Sequence, residues 1–242
     1  MFRIMTWTTA LTEGSNSQGV INYVKNFVDE NNTLAVLQQI PYKYKDENNN
    51  YVLHQAYIDF METFSDDEYK VFQNNTYNKG FIVMMTVIVT KMHNVIKALT
   101  QSTSITSRES AVTVNLDNNS IDVYGIHARN GEDNRTYLKS LDNIVEADII
   151  LGDFNAGDYE DCQNRATFRS ILKDYVCICN MPTKEVRKEF VEAGEKKTKI
   201  IRKTCIDHIF VKRNIVTQCS NLIVDEDNKL SDHYPIIVDI NL

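Results

Sequence analysis

Short apolar runs of β-strand length recur from one end of the chain to the other, and they limit the possible folds more than any other feature. Most are bounded by polar or turn-forming residues. The run at 33–39 is expected to end at Pro41, because proline lacks the backbone donor that a strand needs. The predicted strands cover residues 2–7, 33–39, 80–90, 109–117, 120–128, 147–152, 175–179, 205–211, 215–224 and 234–242.

Predicted helices interrupt these strands at irregular intervals, over 19–30, 54–63, 134–146 and 164–174. Strand pairs joined by short turns alternate with helical crossovers. This mixture predicts an α/β fold with two packed sheets and helices outside them, not one uniform parallel sheet. No internal repeat or Gly/Ser/Pro-rich linker divides the 242 residues, so a single domain over 1–242 is expected.

Charge and cysteine content exclude several classes of protein. The net charge of −7 argues against a protein that binds nucleic acid by electrostatics alone, although local basic patches can still decide contact. The five cysteines are odd in number and form no CxxC pair, which indicates free thiols rather than a disulfide framework or a zinc site. The longest apolar run is about half a membrane span, so we expect no membrane contact and a cytoplasmic location.

Polar side chains occur where the predicted strands end or begin. Gln39, His127, Asp153 and Asn155 follow strands, whereas Asp207 and the neighbours Asp232 and His233 lie at or just before strand starts. If the later strands run antiparallel to the earlier ones, all these groups reach one rim of the sheets. Oxygen ligands without a Cys/His cluster suit Mg²⁺ or Mn²⁺ better than zinc, and carboxylates, histidines and a metal together suit phosphoester hydrolysis.

Each motif also has an ordinary structural interpretation. A lone DxN sequence after a strand is more often an Asx turn, and a lone histidine is more often a hydrogen-bonded core residue. The ordinary interpretation of Asp207 is an ion pair with a nearby base such as Lys203. The complete set in this order makes those separate explanations improbable.

Three motifs, "ILGDFNA", "CIDHIFV" and "LSDHYPIIVDI", closely resemble the endonuclease/exonuclease/phosphatase superfamily, whose fold is that of deoxyribonuclease I. The resemblance covers nearly the whole chain in the same order and is weaker towards the N-terminus. It implies a four-layer α/β/β/α sandwich with two mixed, mostly antiparallel sheets and outer helices. It also implies hydrolysis of phosphoesters with Mg²⁺ or Mn²⁺.

The resemblance further implies roles for individual residues. Asp153 would orient or activate the attacking water, and Asn155 would hold the phosphate. His233, oriented by Asp207, would contact the phosphate and share the acid–base chemistry. Asp232 would help to bind the metal, and His127 would lie near the leaving oxygen.

Two positions depart from the family pattern. Thr8 follows Trp7 where the family usually has asparagine, and Gln39 stands where a glutamate is a principal metal ligand. An amide oxygen can still bind Mg²⁺, but it brings no negative charge. Thr8 is expected to contact substrate through its hydroxyl group, and Gln39 is expected to be a weakened metal ligand.

Basic residues near the motifs are candidates for substrate binding. Arg129 and Arg165 are placed to hold a phosphate. The segment 183–204 contains eight Lys or Arg and four Glu residues. It is either a solvated helix with Glu/Lys pairs or a loop that contacts phosphates.

Three functions remain open at this point. The first is a metal-dependent nuclease acting on DNA or RNA, with no obligate protein partner. The second is a phosphatase or phosphodiesterase acting on an inositol phosphate or another small ester. The third is a catalytically impaired binding protein of the same fold, for which Thr8 and Gln39 are the evidence.

Overall fold

The fold is that of a computed structural model, which describes residues 1–11, 16–74, 82–98, 106–116, 119–129, 133–140, 146–156, 162–192 and 195–241. Fifteen strands and four α-helices are assigned within these ranges. The strands are β1 (Phe2–Thr8), β2 (Thr33–Lys45), β3 (Tyr51–Leu53), β4 (Lys70–Gln73), β5 (Ile82–Thr90), β6 (Val95–Lys97), β7 (Glu109–Asn115), β8 (Ser120–His127), β9 (Ile149–Asp153), β10 (Tyr175–Cys177), β11 (Lys184–Glu192), β12 (Glu195–Thr204), β13 (Asp207–Lys212), β14 (Cys219–Val224) and β15 (Ile236–Ile240). The helices are α1 (Ser17–Asp29), α2 (Gln55–Thr63), α3 (Asp133–Ser140) and α4 (Cys162–Ile171).

Two large sheets contain most of the strands. The first has the order β14-β15-β1-β2-β5-β4 with β3 beside β2, and the second has the order β10-β13-β9-β8-β7-β6. Each sheet has one parallel pair near its middle, β1 with β2 and β8 with β9, and its other pairs are antiparallel. The mixed and mostly antiparallel sheets predicted from the sequence are confirmed.

Three buried apolar clusters arrange the sheets and helices in four layers. One cluster fills the space between the sheets, with Ile4 and Val36 facing Val123 and Leu151. A second packs residues of α1 and α2 against the outer face of the first sheet. A third lies on the outer face of the second sheet and includes Leu138 of α3. The order is therefore helix, sheet, sheet, helix, which confirms the predicted α/β/β/α sandwich.

The antiparallel pairs bring the polar strand ends together. β13 runs antiparallel to β9, so that Asp207 is opposite Asp153. β15 runs antiparallel to β1, and the segment before it therefore returns to the end of β1 at Thr8. The predicted common rim is present because of these two reversals.

Three predicted elements differ from those observed. Strand β2 continues past Pro41 to Lys45, because register shifts on both sides of the proline accommodate its missing donor at an irregular point of the ladder. Of the segment 183–204, residues 184–192 and 195–204 form neither a helix nor a loop but the antiparallel pair β11 and β12, a separate two-stranded sheet. The predicted strand at 215–224 begins with a short 3₁₀ turn, and its strand starts only at Cys219.

The four cysteines whose side chains are described, at positions 177, 179, 205 and 219, are all free thiols. No helix in the described ranges is both long enough and apolar enough to cross a bilayer.

Candidate active site

An aspartate–histidine pair lies at the centre of the rim. The Nδ1 atom of His233 is 2.8 Å from one carboxylate oxygen of Asp207 and 3.0 Å from the other. The same carboxylate accepts hydrogen bonds from the hydroxyl groups of Thr183, at 2.7 Å, and Thr8, at 3.0 Å. The indole N–H of Trp7 donates to the carbonyl oxygen of His233 at 3.0 Å. These contacts fix the imidazole ring with Nε2 as its free nitrogen.

Asp153 ends β9 beside this pair. Its Oδ1 atom accepts a hydrogen bond of 2.7 Å from the backbone N–H of Asn155. The Asn155 side chain donates to the carbonyl oxygen of Ala128 at 2.9 Å. Asn155 has a φ of 46°, a left-handed conformation that asparagine tolerates better than most residues. This sharp turn after the strand presents both side chains at the rim.

Two buried polar atoms at the rim lack a hydrogen-bond partner among the described residues. They are Oδ2 of Asp153 and Nε2 of His233. One potential ligand atom from each of Asp153, Asp207 and His233 lies within 4.8 Å of the others. Because an unpaired buried polar atom is costly, such atoms indicate a place where a ligand completes the site. A carboxylate oxygen in this position fits a hard divalent cation, and an imidazole N–H fits a phosphate oxygen.

Asp153, Asp207 and His233 shift one another's pKa through their charges. Burial, together with the charge of Asp207, raises the pKa of Asp153 to about 7. Burial opposes the charge of Asp207, but the attraction of His233 and three hydrogen bonds lower the pKa of this carboxyl group. Burial likewise opposes the charge of His233, yet the adjacent Asp207 raises the pKa of the imidazole. Asp207 is therefore a carboxylate, and Asp153 is the group whose protonation changes near neutral pH.

His127 approaches Asp153 from β8. Its Nε2 atom is 3.9 Å from Oδ2 of Asp153. On the other side of the ring, Nη1 of Arg108 is 3.2 Å from Nδ1. An arginine nitrogen can only donate, so Nδ1 of His127 accepts and the ring proton is on Nε2. Burial and then the charge of Arg108 hold the pKa of His127 well below its usual value, so this residue is a neutral donor facing the rim.

A threonine–glutamine cluster forms the floor of the site. Thr8 and the fully buried Gln38 are opposite each other in the parallel pair of β1 and β2. The Oε1 atom of Gln38 lies 3.3 Å from the hydroxyl of Thr6 and 3.4 Å from that of Thr8. Gln38 also packs on Gly152, where a Cβ atom would lie only 2.0 Å from the carbonyl oxygen of Ile126. The φ of +134° at Gly152 likewise requires glycine, so the two sheets meet here without space for another side chain.

The two residues predicted to bind metal have different settings. Gln39 is half-buried and has a φ of 58°, at a point where the register of β2 against β5 shifts. The side chain of Asp232 is 38% exposed, and its Oδ2 atom is 3.2 Å from Nζ of Lys184. Among the described acidic and histidine residues, Asp232 is not part of the compact group of Asp153, Asp207 and His233. The roles of Gln39 and Asp232 as metal ligands stay predictions.

The other predicted residues are distributed as follows. Thr8 is at the site but donates its hydroxyl to Asp207, which leaves its predicted contact with substrate untested. Arg129 is half-buried two residues beyond His127. Arg165 belongs to α4, but its side chain lies outside the described residues. The possible pairing of Asp207 with Lys203 does not occur, because Lys203 instead pairs with Glu226.

Sequence patterns missed three groups that the site uses. Thr183 donates to Asp207, Arg108 contacts His127, and Lys184 pairs with Asp232. Thr183 and Lys184 begin the charged segment at 183–204, and its position just before Asp207 was the available signal. Arg108 precedes a strand and carries no motif, so only the pairing of β7 with β8 identifies it.

No family model and no curated protein matches the sequence. Solved structures, in contrast, match over the whole chain. The endonuclease domain of TRAS1, a telomere-specific non-LTR retrotransposon, has a TM-score of 0.64 at 15% identity, covering 100% of this chain and 99% of that chain. An endonuclease/exonuclease/phosphatase family protein from Leptotrichia buccalis C-1013-b has a TM-score of 0.65 at 18% identity, covering 100% of both chains.

A third match is D. rerio TDP2 complexed with single-stranded DNA product, with a TM-score of 0.62 at 14% identity over 100% of this chain and 99% of that chain. Identities this low establish the fold alone. The chain has the fold of the endonuclease/exonuclease/phosphatase superfamily, which confirms the resemblance seen in its motifs.

Proposed function

We propose that this protein is a divalent-metal-dependent phosphodiester hydrolase that acts on nucleic acid. The observation that carries the proposal is the pair of unpartnered buried atoms, Oδ2 of Asp153 and Nε2 of His233, at one rim of the sandwich. One is suited to a cation or a water molecule, and the other is suited to a phosphate oxygen. The names of two similar structures, a retrotransposon endonuclease domain and a TDP2 bound to DNA product, support a nucleic-acid substrate.

We propose Mg²⁺ or Mn²⁺ as the cofactor, held by Asp153 and Asp232 with Gln39 as a neutral third ligand. When bound, the cation offsets negative charge on the phosphate and on the leaving oxygen. Asp207 is a poor ligand despite its proximity, because its oxygens already accept hydrogen bonds from His233, Thr183 and Thr8. Its proposed role is to orient His233 and stabilise the charged imidazole.

The proposed acid–base roles follow from the protonation states. Asp153, once ionised, orients the attacking water and accepts its proton. His233 as an imidazolium donates from Nε2 to a phosphate oxygen. His127, neutral with its proton on Nε2, donates a hydrogen bond near the leaving oxygen, and Asn155 and Arg129 hold the phosphate. Thr8 supports Asp207, and Arg165 is retained as a substrate-binding candidate.

The test is hydrolysis of supercoiled plasmid during Mn²⁺ and Mg²⁺ titrations, with the natural protein, Gln39→Glu and Asp153→Ala. We expect cleavage by the natural protein at high metal concentration, cleavage by Gln39→Glu at lower concentration, and none by Asp153→Ala. His233→Ala is expected to be as inactive as Asp153→Ala.

Two alternative functions correspond to other outcomes of this experiment. Cleavage only by Gln39→Glu would identify the natural protein as a binding protein whose metal site is impaired, an alternative that the neutral Gln39 favours. If none of these proteins cleaves plasmid or RNA but the natural protein releases phosphate from inositol phosphates, the protein is a small-ester phosphatase. Either result would overturn the proposed nuclease activity.

A further inference from the structure

The hairpin arm, defined as β11 and β12, is exposed to solvent along most of its length, and only the residues at its base are buried against the rest of the protein. From position 187 to position 203 every described residue is exposed, on both faces of the ribbon. Nine residues of strand correspond to a length of about 30 Å. A two-stranded ribbon without a packed face is only marginally stable in water. The arm is thus a surface that a partner would stabilise.

The charge of the arm identifies the chemistry of that partner. The segment 183–204 has eight Lys or Arg and four Glu, although the whole chain has a net charge of −7. Lys188 and Lys199 are directly opposite each other, so both project from one face, and Lys197 lies opposite Phe190 on the same face. Like charges in opposed positions destabilise a strand pair unless a counter-charge is present. Within the described part of the chain neither Lys188 nor Lys199 has an ion-pair partner, whereas Lys197 is 2.7 Å from Glu192.

The base of the arm is joined to the candidate active site by backbone hydrogen bonds. The N–H of Glu185 donates to the carbonyl of Asp232 at 2.7 Å, and the N–H of Tyr234 donates to the carbonyl of Thr183 at 2.7 Å. Lys184 and His233 form a β-bridge between these bonds. The first residues of the arm and His233 of the candidate site therefore belong to one hydrogen-bonded unit, so the arm begins at the rim.

We propose that the hairpin arm binds the phosphate backbone of duplex DNA beside the bond to be cleaved, with Lys188 and Lys199 as phosphate contacts. This inference rests on the proposed function for its choice of polymer. A two-stranded ribbon fits the major groove of B-form DNA, about 12 Å wide, but not the narrow major groove of duplex RNA. Single strands are bound mainly by stacking on several aromatic rings, and Phe190 is the only aromatic residue in the sequence of the arm.

The test measures binding to a fluorescent 20-base-pair DNA duplex by anisotropy, in EDTA and at several salt concentrations. The variant Lys188→Gln/Lys199→Gln removes both contacts without creating repulsion. The matched control, Lys97→Gln/Lys173→Gln, removes two exposed lysines, one on the edge strand β6 and one after α4. We expect the arm variant to bind on the order of tenfold more weakly and its slope of log K against log salt to fall by about 2, with the control unchanged.

A second variant separates binding from the stability of the arm. Lys188→Glu places opposite charges across the ribbon, so it should stabilise the arm and still weaken DNA binding. Unchanged affinity and salt slope in both arm variants would overturn the proposal. Equal or tighter binding of duplex RNA or single-stranded DNA by the natural protein would overturn the choice of duplex DNA.

Hydrolysis of bis(p-nitrophenyl) phosphate with Mn²⁺ distinguishes failure of the arm from failure of the chemistry. This small diester does not reach the arm, so the arm variants should hydrolyse it at the natural rate while losing plasmid cleavage. Hydrolysis of the diester without DNA binding by the natural protein would overturn the arm proposal alone. Lysine-dependent DNA binding without hydrolysis of either substrate would support the arm and overturn the proposed function.

Discussion

At the scale of single residues, Asp153 combines a buried position in the candidate active site with an unfavourable charge. Burial and the neighbouring Asp207 raise its pKa from the ordinary value of 3.8 to about 7. Between these values the unfolded chain releases the proton and the folded chain keeps it, so this residue makes the protein less stable as pH rises. Ionised Asp153 therefore lowers the free energy of unfolding, and a bound cation would offset this loss.

Replacing Asp153 by asparagine should stabilise the metal-free protein. The amide oxygen can still accept from the N–H of Asn155, but it carries no charge to bury. We expect the free energy of unfolding of Asp153→Asn to exceed that of the natural protein by on the order of 2 kcal/mol at pH 8, and the difference to vanish near pH 4. Urea unfolding at a series of pH values in EDTA would measure this. A constant difference from pH 4 to pH 8 would contradict the assigned cause.

Arg108 is a positioning residue that acts through His127. Its Nη1 atom donates towards Nδ1 of His127 and also lies 3.3 Å from the carbonyl oxygen of that residue. Arg108→Met should leave the tautomer of His127 mixed and let the pKa of the imidazole rise towards its usual value. We expect kcat on a small diester to fall about tenfold or more, with KM little changed.

Nitrogen-15 NMR of the His127 ring separates this positioning role from a general loss of structure. The natural protein should show the Nε2–H tautomer through neutral pH. Arg108→Lys keeps a positive charge and an N–H donor group, although not the guanidinium geometry, so it serves as the matched control and should retain the tautomer in part. An unchanged ring tautomer in Arg108→Met would show that Arg108 does not set the state of His127.

At the scale of elements, the irregular point in β2 combines backbone strain with a candidate metal ligand, Gln39. Gln39 has a φ of 58°, and a residue other than glycine in this conformation lowers the stability of the fold by about 1 kcal/mol or more. Gln39→Gly should therefore raise the free energy of unfolding by about 1 kcal/mol while it removes a candidate metal ligand. Asn32 has a φ of 57° between α1 and β2, so Asn32→Gly is the control and should gain less, because asparagine tolerates this region. Chemical unfolding of both variants measures the difference, and a loss of stability in Gln39→Gly would contradict this account of the strain.

Most strands can be predicted from the sequence because each of these corresponds to an apolar run of similar length and position. The hairpin arm is the instructive exception. Its glutamates and lysines occur at spacings that also suit a solvated helix, and it has no apolar face that would decide between the two structures. Its strands form because they pair with each other, as in Lys188 opposite Lys199 and Phe190 opposite Lys197, and this pairing is not visible in a local pattern.

At the scale of the whole molecule, the rim was predictable and its supporting contacts were not. Asp207 begins one strand and Asp153 ends another. Because these two strands pair antiparallel, the two aspartates lie opposite each other. The contacts of Thr183 and Arg108 instead join residues from strands that are distant in sequence. Gln38 continues the inward-facing alternation of Leu34 and Val36 and so faces the sandwich interior, whereas Gln39 lies at the register shift of β2 with a φ of 58°.

Because the site takes residues from both sheets, a bound cation should stabilise the entire sandwich. A ligand that binds only the folded state adds about 2.7 kcal/mol at a concentration of 100 Kd. For a chain of this length, that corresponds to a rise in Tm of about 5–10 °C. We expect Mn²⁺ to produce such a rise in the natural protein, with the midpoint of the titration moving to lower metal concentration in Gln39→Glu. Removal with EDTA should reverse the rise.

Asp153→Asn is the matched control for this titration, because it removes the buried charge that the cation would offset while it keeps the shape of the side chain. The Tm of Asp153→Asn should be higher than that of the natural protein in EDTA and should respond little to Mn²⁺. The Tm values of the two proteins should therefore converge as metal is added. Calcium should give a smaller rise, since it prefers more ligands and longer bonds than the three proposed ligands, Asp153, Asp232 and Gln39, offer. An equal rise in Asp153→Asn would place the cation elsewhere and would separate metal binding from the proposed active site.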